Sequence, residues 1–498
     1  MGGEQARMAQ GAFLEPGSRD GWTSQAPPSV SPERISASRN ADLLTLLSDW
    51  KDRFRDAVER VLTSSWSVRT ARRPRGLPLN RGSTRGILVL GFLSLIAGAA
   101  LADDFQGSTH QVAYDGEVIR YTMQTPDDPV ARLQGKIDAG EAHLKFDARF
   151  GYLPSLLEFL GVPQSSQMLV FSKTSLQRRL ISPGNPRAVY FGDDVYVGYI
   201  PGAPLLEVSA MDPNLGGIFY SLAQEENSKP QFKRSVDCSQ CHGAAKTMGV
   251  PGHFVRSIAT DETGELDTHN EVSYITHRTS LADRWAGWYV TGAHGDQTHL
   301  GNLIGAAAFE QALKSPNALG NLTDLSRFFD VRKFPSSGSD IVALLVLEHQ
   351  AHMQNYVTWL NFEGQIILRQ YGHIRYLKSQ SEAFLRYLLF TEESPLTSPV
   401  RGNPEFAKAF QSHGPRDSRG RSLRDLDLRT RLFKHPCSYV IYSPAFDNLP
   451  APMKEHLYQR LWSILTGLDQ SSDFGKIRRE DRTAILEILL ETNPGLPV

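Results

Sequence analysis

The stretch Cys238-Ser239-Gln240-Cys241-His242 constrains this chain more than any other. Two thiols three positions apart can each add across a vinyl group of a macrocycle. The imidazole directly after the second is then placed under the ring to ligate iron. That is the pattern of c-type haem attachment: Cys238 and Cys241 would form the two thioether links to one covalent haem c, and His242 would be the proximal iron ligand. Two other chemistries use such a cysteine pair. A structural zinc site wants a second Cys/His pair at short spacing, and the remaining cysteine, Cys437, lies far downstream. A redox dithiol does not need the histidine, and no βαβ pattern surrounds this one.

Export should accompany such a site, because the thiols must meet haem outside the cytoplasm. Residues 1–85 form a leader, rich in Ser, Pro, Gly and Gln over 1–38 and expected to be disordered there. Leu43, Leu44, Leu47, Trp50, Phe54, Val58, Val61 and Leu62 recur at three- and four-residue steps, which predicts an amphipathic helix over 41–62. Six arginines and no acid lie between Val68 and Arg85, followed by GILVLGFLSLIAGAALA at 86–102 and then Asp103-Asp104. A basic flank, an apolar core and a small-residue end make a signal peptide of 86–102. Retained, the segment would be a membrane anchor somewhat short of the bilayer core. Because a signal normally opens a chain, a translation start downstream of Met1, for example at Val68, is expected. The mature protein would be periplasmic, or anchored and facing the periplasm.

Four runs in 103–230 predict strands: 168–173, 188–192, 195–200 and 204–211, with Asp193-Asp194 in a tight turn. Helices are expected at 129–141 and 153–160, the second stopped by Gly161-Val162-Pro163. The runs LVFSKTSLQ, SPGNPRAVYFGDDVYVGYIPG, DPNLGGIFYSL, VDCSQCH, GVPGHFVRS, DRWAGWYVTGAHGDQTHLGN, SDIVALLVLEHQAHM and RLFKHPCSYVIYSPAFDNLP resemble a family of exported c-type cytochrome-domain proteins of planctomycete-like bacteria. The resemblance covers about residues 105–498. It implies haem c binding and no particular reaction. The family pattern has Met where this chain has Leu300, which speaks against a methionine ligand there.

Within the haem region, 231–355, Gly243 would let the backbone approach the macrocycle, and Pro251 resembles the prolyl segment that hydrogen-bonds the proximal imidazole. The sixth ligand has several candidates. His349 and Met353 share a face of a helix capped by Ser339 or Asp340 and come first, followed by His299 and then His294. Met248 and His253 lie too near His242 to reach the opposite face easily. An open sixth position comes last. Trp285, Trp288 and Tyr289 would pack near the ring with polar tips toward a propionate, and Arg256, Arg278 and Arg284 are candidate propionate partners.

The expected fold class is α+β, mainly α. A cytochrome-c-like helical haem region would be flanked by a small mixed strand/helix part (103–230) and a helical part (356–498). Helices are predicted at 381–390, 453–469 and 479–492, a strand or buried segment at 438–443, and a solvated loop over 414–431. The function implied is an exported monohaem c-type electron carrier with a redox partner protein. A haem c enzyme (peroxidase-like or acting on a small molecule) or a haem sensor is the alternative, since so long a chain exceeds what a simple carrier needs. The 53 basic and 54 acidic residues leave a net charge of −1, which gives no reason to expect nucleic acid.

Overall fold

In the computed structural model, which describes residues 112–267, 273–315 and 320–496, the first helices start and stop where local chemistry dictates. Asp128 caps α1 (Pro129–Asp138), accepting from the Val130 and Ala131 amides at 2.7 and 3.0 Å, with a proline where no amide partner is needed. α2 (Leu153–Phe159) is followed by Gly161 at φ 64°, a conformation that costs glycine little. The expected helix over 41–62 and the apolar segment 86–102 lie outside the described residues.

Strands follow as β1 (Met168–Val170), β2 (Arg187–Phe191), β3 (Val195–Tyr199), β4 (Leu205–Asp212), β5 (Gly216–Ala223) and β6 (Phe232–Arg234). The four expected strands are β1 to β4, and Asp193-Asp194 turns the chain between β2 and β3. Next come the single helical turn α3 (Ser239–His242), β7 (Val255–Ser257), β8 (Ser273–Ile275) and β9 (Trp288–Tyr289). One antiparallel sheet of seven strands runs β6-β5-β4-β3-β2-β1-β9, so consecutive hairpins build it and β9 returns to close the β1 edge. β7 and β8 form a separate ribbon.

The rest is helical: α4 (Ala306–Lys314), α5 (Ile341–Tyr371), α6 (Lys378–Leu388), α7 (Pro404–Ser412), α8 (Pro444–Asp447), α9 (Ala451–Leu465) and α10 (Arg479–Thr492). Asp340 caps α5, accepting from the Ala343 amide at 2.9 Å. α5 is buried along most of its length, Met353 and His349 included. A helix apolar on nearly every face is a core helix, and its His/Met pair is part of the packing rather than a lone stripe.

One hydrophobic core takes in residues from Val112 to Leu496, so the stretches 103–230, 231–355 and 356–498 share it. Among the described residues helix outweighs strand, 36% to 14%, an α+β arrangement with helix predominant. The segment around the cysteine motif differs from expectation. Among its described residues, 231–355 holds four short strands, the single turn α3, three 3-10 turns, α4 and the first half of α5, which does not make a helical bundle. Of the two expectations for residues 438–443 the buried segment is observed and the strand is not: Tyr439–Tyr442 is a 3-10 turn whose start is capped by Ser438. The loop over 414–431 is tied down as well as solvated, with Arg421 between Asp417 and Glu487 and Arg431 on Asp481. Among the described residues no helix is long and apolar enough to cross a membrane.

Candidate haem attachment site

Cys238 opens the single turn of α3, which puts Cys241 and His242 one turn above it; the His242 amide donates to the Cys238 carbonyl at 2.9 Å. None of the chain's thiols is in a disulfide. Cys241 is exposed, Cys238 half-buried with its pKa raised by burial, and Cys437 fully buried. Gly243 is also required by packing within the chain. A Cβ there would lie 2.8 Å from the Ser239 carbonyl and 2.9 Å from the Tyr114 hydroxyl, so chain packing already requires glycine.

The imidazole of His242 is held by a second contact. Its Nδ1 lies 2.9 Å from the Gly252 carbonyl oxygen, and the Gly252 amide donates to the His242 carbonyl at 2.8 Å. A carbonyl can only accept, so Nδ1 carries the proton. Burial pushes the pKa of this ring down to about 4, which keeps it neutral near pH 7. The lone pair is therefore on Nε2, the arrangement a metal-ligating histidine needs. The carbonyl partner sits one residue beyond Pro251, the residue expected; the Pro251 carbonyl accepts instead from the Gly217 amide at 2.8 Å.

The Pro251–His253 segment is pinned from both sides. β5 holds Pro251, and a Cβ at Gly217 would come within 3.2 Å of the Gly252 Cα. From α5, the Asn355 Oδ1 accepts from the His253 amide at 3.1 Å and its Nδ2 donates to the His253 carbonyl at 2.6 Å. The His253 ring is buried, with Nε2 2.7 Å from Ser209 Oγ.

Around His242 the walls are aromatic and the rim is cationic. Its ring centroid lies 4.9 Å from Phe219 and 5.1 Å from Phe254, and Phe254 meets Tyr274 edge-on at 5.7 Å. Lys246 lies over the Phe254 and Tyr274 rings, and Arg256 over Phe254. Among the buried polar atoms without a hydrogen-bond partner in the described residues are His253 Nδ1 and Arg256 Nε. Two unbridged thiols, an oriented neutral imidazole, half-buried aromatic faces and an under-satisfied guanidinium fit a haem with anionic propionates. A zinc centre fits less well. Among the described residues no group of three or more His, Cys, Asp or Glu side chains is placed to hold a metal ion.

The other candidates make their contacts elsewhere. His349 has both ring nitrogens engaged: Nδ1 lies 2.9 Å from His277 Nδ1 and Nε2 2.8 Å from Ser438 Oγ. The ring stacks in a cage with Tyr387 and Phe390. Both nitrogens of this first-ranked candidate are therefore used within the fold. Met353 is fully buried in the core. His299 accepts from the Gly301 amide through Nδ1 and packs against His294 and Trp285. His294 accepts from the Asn321 amide through Nε2. Trp285 donates to Glu348, Trp288 to the Arg256 carbonyl and Tyr289 to the Pro183 carbonyl, so their polar tips are already used. Arg284 pairs with buried Glu348 and Arg278 with Glu392, which leaves Arg256 as the one of these three beside the motif.

Phe219, Gly252, Phe254, His277 and Asn355 were not singled out as functional from sequence. Of these Gly252 and Phe254 had a local signal, their place in GVPGHF just past the motif. Comparison with protein-family models, curated proteins and solved structures finds no match.

Proposed function

We propose that this chain is an exported monohaem c-type cytochrome-domain protein, of the kind its sequence resembles, that passes electrons to or from a redox partner protein. Cys238 and Cys241 would hold haem c through thioether bonds, each thiol adding across a vinyl group with its hydrogen going to the neighbouring carbon, so no oxidant is needed. His242 would be the residue that holds the iron, its Nε2 carrying the lone pair. Bound there, haem supplies a one-electron Fe(III)/Fe(II) couple. The chain's own residues orient the ligand, with the Gly252 carbonyl fixing the ring and its tautomer, and they shield it, through Phe219 and Phe254. Arg256 and Lys246 supply positive charge for the propionates.

The observation that carries this reading is the His242 Nδ1 contact to the Gly252 carbonyl, which selects Nε2 as the ligating nitrogen of a Cys-x-x-Cys-His motif. The basic flank and apolar segment at 86–102 support export to the periplasm, as signal peptide or membrane anchor. Co-expression with a c-type maturation system, followed by haem staining of the denatured protein, tests it. The stain is expected with the native chain and lost in the Cys238→Ala/Cys241→Ala variant. A native chain that takes no stain overturns the reading.

One observation favours a second reading, a haem c enzyme or haem sensor with an open sixth position. The first-ranked histidine for that position, His349, has both nitrogens bonded within the core. Carbon monoxide separates the two. A reduced spectrum unchanged by CO supports two protein ligands and electron transfer, and a CO complex supports the open position.

A further inference from the structure

The Gly252–His253 peptide is bonded at both ends. Its carbonyl oxygen accepts from His242 Nδ1 at 2.9 Å, and its N–H donates to Asn355 Oδ1 at 3.1 Å. Both bonds belong to one amide group. An acceptor on its N–H pushes electron density onto its oxygen, so the two bonds strengthen each other, and low polarity around them enhances the effect. We propose that Asn355, fourteen positions into the core helix α5, is a positioning residue for His242. It fixes and polarises the Gly252 carbonyl, and through it sets the orientation of the imidazole and how strongly its Nδ1 proton is held.

Three further observations support a built relay over a chance contact. Asn355 binds both polar groups of the His253 backbone, which a residue merely filling space would not do. Gly252 leaves no room for anything larger, since a Cβ would lie 2.0 Å from Asn355 Oδ1. The third is that the Pro251 carbonyl is held independently by the Gly217 amide, so the peptide cannot swing to relieve a change at Asn355. A more strongly held carbonyl makes the imidazole a better donor to iron and favours the oxidised state. That last consequence rests on the haem reading; the effect on His242 itself does not.

The test uses N355A, with N361A as control. Asn361 lies on the same helix and donates to the Pro213 and Asn214 carbonyls, away from His242. In haem-free protein, the His242 Nδ1–H proton observed by 15N-edited NMR is expected to move upfield and exchange with solvent about tenfold faster in N355A, and to be unchanged in N361A. In haem-loaded protein, N355A is expected to raise the reduced-to-oxidised ratio at fixed potential about threefold, on the order of 30 mV for one electron at 59 mV per tenfold. N355D, which keeps an acceptor on the His253 N–H and adds negative charge, is expected to shift the ratio the opposite way, and it serves should N355A fail to fold. An unchanged Nδ1–H signal in N355A, an equal shift in N361A, or a rise in the N355D ratio overturns the proposal. An NMR shift as expected in a chain that never takes up haem supports the relay and removes the haem reading, so the two failures are told apart.

Discussion

The substitution Gly252→Ala isolates what holds the proximal segment in place. The backbone conformation at this position suits any residue, so the effect is steric. The new methyl would lie 2.0 Å from Asn355 Oδ1 and 2.9 Å from its Cγ. Asn355 must swing away, and the buried His253 amide and carbonyl then lose the partners now at 3.1 and 2.6 Å. An unsatisfied buried backbone group costs about 1–3 kcal/mol. Two of them, partly relieved by relaxation, give about 2–5 kcal/mol. That is a large share of the roughly 5–15 kcal/mol that holds a native fold. Urea unfolding followed by tryptophan fluorescence measures it, and at a slope near 3 kcal/mol per M the midpoint falls by about 1 M. Gly135→Ala is the internal control: it sits in α1 with nothing within 4 Å of the added carbon, and is expected to be neutral or stabilising by up to about 1 kcal/mol. Repeating Gly252→Ala in an Asn355→Ala background should cost far less, because the clash partner is gone. Equal costs in the two backgrounds would refute the steric account.

Three thiols in three environments should react differently in haem-free native protein. A disulfide reagent is expected to label exposed Cys241 first and half-buried Cys238 next, with Cys437 labelled only after unfolding; rapid labelling of all three would contradict the burial of Cys437. Arg284→Met should cost about 3–5 kcal/mol, because it leaves Glu348 buried without its cation. The loss should also depend on pH. Burial raises Glu348 from 4.5 to about 7 even with Arg284 present, so the folded state keeps a proton that the unfolded state has released. This contribution is fully present below pH 4.5 and lost as pH rises through 7. Without Arg284 the carboxyl rises further, and denaturation midpoints should show a larger deficit at pH 8 than at pH 5. A deficit independent of pH would show that Glu348 is not the group responsible.

What was legible in the sequence is what local chemistry decides. α1, α2, α6, α9 and α10 lie where apolar periodicity and Gly/Pro stops put them, and β1 to β4 where alternation did. β5 was hidden because its start, Gly216-Gly217, looks like a turn. Its glycines are explained by what packs on them from elsewhere in the chain, the Pro251–Gly252 segment and, at Gly216, Thr358 of α5. The cysteine motif and His242 stand out in the sequence as a candidate site because haem attachment would require those residues in that order. The Gly252 carbonyl was missed by one residue, since a spacing rule points to Pro251 while the bond is decided by how β5 and α5 pin the loop. His349 was legible as a helix position but not in its use. The partners that occupy its nitrogens, His277 and Ser438, come from distant loops and leave no local sign. Asn355 is likewise one polar residue in a helix, given a role only by the backbone it meets.

Mass spectrometry of one peptide tests the central claim most directly. Trypsin cuts after Arg234 and Lys246, and the peptide Ser235–Lys246 carries both cysteines and His242. From protein matured with haem, this peptide is predicted to carry the mass of one haem, bonded through Cys238 and Cys241, with an absorbance band that travels with it. The same peptide recovered with two unmodified thiols, or with a Cys238–Cys241 disulfide, would contradict the account.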